Sequence, residues 1–265
     1  MDIGLSSASF YPYVNTEDSI TIMRNLGFKL GEIFLNSDSE YEESFGKLLL
    51  EQKLKNDFVI NSVHAFSSSF EPYLFDEYKR RRDDAFLKFE KVCKLAKLLG
   101  AKCYTFHGMK YRKLQEVHSS FIFDIYNKLT YAAGKQGIKL CQENVFWCLS
   151  SNTDFLYELK EKCSNPIYFT LDIKQAYRAG RTPEEYIDVM GSAMENLHLN
   201  DRDDKNSCLL PGKGDVDYKK ILCKLKEIGY NKVGIIEVYS DNYKDYCQLK
   251  ESQNYIWNII CSQKL

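Results

Sequence analysis

The chain has 265 residues, 44% of them hydrophobic and 28% charged, and 36 Lys and Arg against 37 Asp and Glu give a formal net charge of −1. That composition fits a globular protein with one large core, and α/β barrels often reach this length as a single domain, so one domain is expected over residues 1–265. The near-neutral balance removes the long-range field of a chain that grips nucleic acid non-specifically or rests on an anionic bilayer, and neither partner is expected.

In chain order, eight short β-rich runs read as buried strands, at residues 3–7, 30–36, 58–65, 102–108, 139–146, 167–173, 196–201 and 233–239. Between and after them lie eight helical patterns, at 17–25, 41–55, 76–99, 118–135, 154–162, 183–190, 217–228 and 241–261. Gly27, Gly100, Gly137 and Gly229 each follow an amphipathic run and precede a strand, where a left-handed terminal residue is wanted. Thr16, Thr153, Thr182 and Asp217 are the expected N-caps. Strands that alternate with helices pair in parallel through right-handed crossovers, and eight such units close into a single-domain (β/α)8 TIM barrel. A doubly wound open sheet is the weaker option, because Ser6-Ser7-Ala8-Ser9-Phe10 after the first strand is no glycine-rich dinucleotide fingerprint.

Nine cysteines stand without a CxxC pair and in odd number, which excludes a zinc-finger spacing or a disulfide framework. Most fall in apolar stretches and read as small buried thiols in a reducing cytosol. Met1-Asp2-Ile3-Gly4 does not begin a secretory signal, and no apolar run reaches membrane-spanning length, so the expected location is cytoplasmic.

Barrels of this type build their active sites at the carboxyl ends of the strands. There the sequence places Glu32, His64, His107, Glu143, Asp172, His198 and Glu237, on strands two to eight in turn. Burying so many ionisable groups beside Val, Ile, Leu and Phe would cost several kcal/mol each if they were unpaired. A divalent cation neutralises them, and three carboxylates with one imidazole, Glu143, Asp172, His198 and Glu237, form a shell suited to Mn, Mg, Co or Zn. Taken singly, each of these residues has a plainer reading as a hydrogen-bonded barrel residue. Three of the four histidines nevertheless fall at equivalent places in their units, the third, fourth and seventh, which lifts the joint reading. His118 is the exception; it opens a helical stretch and reads as solvent-exposed.

The ladder of strand-end groups resembles the xylose isomerase-like barrel superfamily of sugar and sugar-phosphate isomerases and epimerases. The resemblance is most specific in His198-Leu199-Asn200-Asp201-Arg202, Pro211-Gly212-Lys213-Gly214-Asp215-Val216-Asp217 and Ile235-Ile236-Glu237. It implies one divalent metal on Glu143, Asp172, His198 and Glu237, with Glu143 and Glu237 as the acid/base pair that moves a proton through a metal-stabilised enediolate. Glu32, His64, His107, Gln175 and Arg202 are the expected substrate contacts, and the expected partner is a small-molecule carbohydrate; a homo-oligomer is compatible with this reading. Two features depart from the family pattern. Gln175 stands where many epimerases carry a histidine, and Arg202 follows His198 more closely than the corresponding basic residue of ketose epimerases.

The same ladder is similar to the endonuclease IV family, which cuts abasic DNA with three zinc ions. Gln175 in place of a histidine, and Asp203-Asp204-Lys205-Asn206-Ser207-Cys208 in place of an Asp-x-His, leave too few ligands for three zincs. The basic cluster Lys79-Arg80-Arg81-Arg82 runs into Asp83-Asp84 and reads as a charge-balanced helix face. The loop Leu210-Pro211-Gly212-Lys213-Gly214 admits either a phosphate cradle or a turn that delivers Asp217 to cap the next helix. Tyr11, Phe66, Phe70, Tyr73, Trp147 and Tyr177 are candidates to wall a sugar pocket, and loop packing accounts for them equally well. A catalytically silent sugar-binding barrel stays open as a third reading, opposed by the intact pair Glu143 and Glu237.

Overall fold

In the computed structural model, which describes residues 1–110 and 119–262, eight parallel strands close into a barrel in the order β1 to β8. The strands are β1 Asp2–Ser6, β2 Leu30–Leu35, β3 Val59–Ala65, β4 Cys103–Phe106, β5 Lys139–Glu143, β6 Tyr168–Asp172, β7 Met194–Leu199 and β8 Val233–Ile236. β8 returns to β1 through Asp2↔Val233 to Leu5↔Ile236, so no strand edge is left open. Six lie inside runs expected from the sequence, and β1 and β7 overlap theirs but begin one and two residues earlier.

The outer ring comprises α1 Thr16–Asn25, α2 Glu43–Lys55, α3 Lys79–Leu99, α4 Ser119–Lys135 and α5 Thr153–Lys162, then α6 Ile173–Arg178, α7 Pro183–Met190, α8 Tyr218–Glu227 and α9 Cys247–Ser262. α6 is an addition to the expected set. It is too short to show a period, and it begins where Asp172 accepts the Gln175 N–H. His118 lies outside the described residues. The helices bury one stripe each, as Phe89, Val92, Cys93, Ala96 and Leu99 do on α3, and Gly100 ends that helix at φ 68°, where a side chain would be strained.

Two caps differ from expectation. Asn152, one residue before Thr153, accepts the Asp154 N–H at 2.8 Å. Thr16 starts α1 but turns its hydroxyl to the Glu40 carboxylate at 3.2 Å. Thr182 and Asp217 cap as expected, Thr182 in a reciprocal box with Glu185 and Asp217 through the Lys220 N–H at 3.1 Å.

The carboxyl-end loops settle several open readings. The loop after β7 folds inward on Asp201, whose carboxylate accepts the N–H groups of Gly212 at 2.9 Å and Val216 at 3.0 Å. Those amides are spent on an internal acid, so the turn reading holds and the phosphate cradle does not. The basic stretch of α3 is also charge-balanced: Lys79 pairs with Asp83 at 2.6 Å and Arg81 with Asp76 at 2.9 Å. Of the cysteines, Cys93, Cys103, Cys141, Cys148 and Cys208 are buried, as expected for most of the set; Cys163 is half-buried, and Cys223, Cys247 and Cys261 sit on exposed helix faces. Among the described residues no helix is long and apolar enough to cross a membrane.

Candidate metal centre

Glu143 and Asp172 end β5 and β6, His198 lies opposite Asp172 in the β6–β7 register, and Glu237 follows β8 directly with its N–H on the Leu199 carbonyl at 3.1 Å. One ligand atom from each of these four buried residues falls within 4.8 Å of the others. His198 Nδ1 is the hub, 3.3 Å from Glu237 Oε2, 3.5 Å from Glu143 Oε1 and 3.6 Å from Asp172 Oδ2. These separations are longer than hydrogen bonds but suit ligands that share one ion. His198 Nδ1 is fully buried and has no hydrogen-bond partner, nor has Glu143 Oε2, which lies 2.8 Å from His107 Nε2 without hydrogen-bond alignment. Orphaned buried polar atoms are costly; His198 Nδ1 faces three carboxylates and Glu143 Oε2 faces the His64 and His107 rings, and both placements fit a cation. The four residues are thus a set that could hold a metal ion.

The electrostatics are those of a charged cluster. Burial pushes Glu143 up, but His107, His198 and His64 outweigh it and hold the carboxyl well below the usual range. Burial likewise raises Glu237, and His198 and Lys174 reverse it to well below the ordinary value. For His198, burial favours the neutral ring, yet Glu237 and Glu32 push it well above the usual histidine range. His64 rises to about 9 because Glu143 and Glu32 overcome its burial.

A second ligand set adjoins the first. His64 Nε2 and His107 Nε2 lie 3.0 Å apart and converge on Glu143, so that His64, His107 and Glu143 also form a potential cation site. His64 Nδ1 is tied to the Ala65 carbonyl at 2.9 Å and His107 Nδ1 to Ser67 Oγ at 2.6 Å, which turns both Nε2 atoms inward.

A cavity of about 370 Å³ opens over the cluster. His64, His107, Glu143, Gln175 and Glu237 line it, as do Tyr11, Phe66, Trp147 and Tyr239. Two expected substrate contacts are placed elsewhere. Glu32 is fully buried beneath the cluster, where it accepts from Ser62 Oγ at 2.7 Å, Asn196 Nδ2 at 3.1 Å and Thr105 Oγ1 at 3.2 Å and pairs with His198 Nε2 at 3.2 Å. Its register explains the displacement: Glu32 lies opposite Ser62, whereas His64, two residues farther up the barrel, lies opposite Phe34. Arg202 lines a neighbouring cleft and stacks on Tyr177 at 4.7 Å. Of the remaining aromatic candidates, Phe70 is core and Tyr73 lies under Arg81.

Sequence reasoning missed three supporting groups. Lys174 is buried and donates to Asp172 Oδ2 at 2.6 Å and Glu237 Oε2 at 2.7 Å. Asn200 fixes the start of α6 by accepting the Lys174 N–H at 2.7 Å and donating to Asp172 Oδ1 at 3.2 Å. Glu71 accepts from Tyr104 Oη at 2.7 Å and from the His107 N–H at 2.9 Å, which sets the backbone that carries His107. Asn200, two residues after His198, carried a readable signal, since a strand-end amide beside a site acid is a common orienting group.

The chain resembles several known proteins. It is 30% identical over 139 residues to the uncharacterized protein MJ1311 of Methanocaldococcus jannaschii, a match that covers 49% of this chain and 46% of that relative's length. Its fold matches a D-tagatose 3-epimerase-like protein over 100% of both chains (TM-score 0.83, 22% identity). It also matches D-psicose 3-epimerase of Clostridium cellulolyticum H10 over 99% of both chains (TM-score 0.79, 16% identity). A third match is the IOLI protein with a bound zinc atom, over 99% of this chain and 97% of that one (TM-score 0.77, 17% identity). A family model described as xylose isomerase-like TIM barrel matches residues 20–259, and the chain belongs to that family.

Proposed function

We propose that the protein is a divalent-metal-dependent isomerase or epimerase of a sugar or sugar phosphate. The observation that carries this reading is the convergence of Glu143, Asp172, His198 and Glu237 at the base of an aromatic-walled cavity that Glu143 and Glu237 also line. When bound, the cation supplies Lewis-acid polarisation of the substrate oxygens. Glu143 and Glu237, held ionised by their basic neighbours, are the acid/base pair: one removes the proton from the carbon beside a carbonyl and the other returns it. Return to a different carbon is isomerisation; return to the other face is epimerisation. His64, His107 and Gln175 offer polar groups to the sugar, and Phe66, Trp147 and Tyr239 offer apolar faces that exclude water. The similarity to sugar epimerases of known structure supports the substrate class.

The test is proton exchange. Metal-stripped protein reloaded with Mn2+ is incubated in deuterium oxide with a panel of ketoses, aldoses, inososes and their phosphates, and deuterium on carbon is read by NMR. Incorporation into at least one member is expected; absence across the panel, together with absence of sugar binding, overturns the proposal.

A second reading, cleavage of abasic DNA, draws on the His64, His107 and Glu143 set. It is opposed by Gln175 and by the self-paired charges at the start of α3. Strand cleavage of an abasic duplex, with binding that falls steeply with salt, would favour it.

A further inference from the structure

The position of Lys174 points to a cation already built into the centre. We propose that the Lys174 ammonium is a resident counter-ion of the candidate metal centre, holding Asp172 and Glu237 when no divalent ion is bound and competing with that ion for them. This rests on the reading of Glu143, Asp172, His198 and Glu237 as a cation site.

Three observations carry it. The ammonium engages the same oxygens, Asp172 Oδ2 and Glu237 Oε2, that face His198 Nδ1 in the ligand cluster. Among the described residues its ion pairs are to these two acids alone, so it neutralises one half of the cluster and leaves the Glu143 side open. Local structure opposes such a place for a lysine: Lys174 lies in the first turn of α6, where the helix end is electropositive, and its side chain is only 3% exposed. The two carboxylates are what hold it inward.

The side chain also has somewhere to go. Lys174 borders both the cavity above the centre and the adjoining cleft of about 500 Å³ lined by Tyr177, Arg178 and Arg202. Its four-carbon stem can swing the ammonium into that space while α6 stays anchored through the Lys174 N–H to Asn200. Uptake of a divalent ion and outward movement of Lys174 are then one linked event.

Direct metal binding tests this independently of any sugar. Stripped wild type, Lys174→Met, Lys174→Gln and Lys174→Arg are titrated with Mn2+ and Zn2+ against a fluorescent chelator. The two neutral variants are expected to bind on the order of tenfold tighter or more, because a like charge has left the site, whereas the Arg variant stays near wild type. A lysine that only supports the fold would not give tighter binding when removed. Thermal melts supply a second readout: stripped Lys174→Met should melt below stripped wild type and regain more on Mn2+ addition. A variant that folds only when purified with Mn2+ meets the same expectation. Equal or weaker affinity in both neutral variants overturns the role of Lys174 and leaves the metal site standing; absence of divalent binding in every protein overturns both.

Discussion

Glu32 and His198 form a fully buried pair, with the carboxylate Oε2 3.2 Å from ring Nε2, and this contact turns Nδ1 toward Glu143, Asp172 and Glu237. The pair joins two layers of the barrel. Below it, Ser62, Thr105 and Asn196 hold the carboxylate; above it, the imidazole faces the centre.

Replacing Glu32 should therefore act at a distance. Glu32→Gln is expected to weaken Mn2+ or Zn2+ binding by about 10- to 100-fold, as losses of groups that orient a ligand do. Glu32→Ala should also destabilise the fold by about 3–5 kcal/mol by unpairing a buried network. Metal titration and urea denaturation measure the two effects; unchanged affinity in both variants would refute the orienting role.

Metal removal should be visible in the melting curve. With divalent ion at 100 times its dissociation constant, native-state binding contributes about 2.7 kcal/mol. Chelator-treated and Mn2+-loaded protein should differ accordingly in calorimetry, and coincident curves would count against a metal centre.

Glu143→Gln and Glu237→Gln keep the side-chain shape and remove the proton acceptor. Each is expected to lower deuterium exchange into substrate by about 10²- to 10⁴-fold. Bound Mn2+ is measured alongside, so that loss of metal is separated from loss of the base; wild-type exchange in either variant removes that residue from the chemistry.

Gly214 touches its surroundings where a side chain cannot fit. A Cβ there would lie 2.2 Å from the Arg202 carbonyl and 2.5 Å from Asp201 Oδ1. Gly214→Ala should cost about 1–3 kcal/mol in urea denaturation. Gly134, exposed on α4 with open space around it, is the control: Gly134→Ala should stabilise by about 0.4–1 kcal/mol.

Glu71 supplies a pH signature. Burial raises its carboxyl above the ordinary 4.5, despite the opposing His107 charge and the Tyr104 hydrogen bond. The folded state thus favours the protonated acid. Its contribution is full below the unfolded value and is lost as pH rises through the folded one. Glu71→Gln should gain on wild type in urea stability as pH climbs above about 4.5 toward neutrality; a difference that does not change with pH would refute this.

Much of this molecule was legible in the sequence because periodicity and punctuation are local. Alternating strand and helix runs, with Gly27, Gly100, Gly137 and Gly229 after four of the helices, specify a barrel before any contact is known. The convergence of Glu143, Asp172, His198 and Glu237 was legible because strand ends meet in such a barrel. Depth was not. Glu32 and His64 both sit on strands, and only the β2–β3 register reveals that Glu32 is the deeper of the two. Nor does any spacing rule turn Lys174 inward, since it follows directly on the strand run 167–173 and its burial depends on partners at 172 and 237. The placement of Arg202 in the adjoining cleft was hidden for a related reason: its loop folds around Asp201, a contact between segments ten or more residues apart.

The hydrogen-bonded plug around Glu32 has a consequence for engineering. Because the candidate ligand groups are braced from inside the strands, while Tyr11, Phe66 and Tyr239 project from the rim with half or nearly half of their surface free, the two can be altered separately. Under the proposed function, libraries confined to those three aromatic positions should shift which sugars are accepted and retain divalent-ion binding.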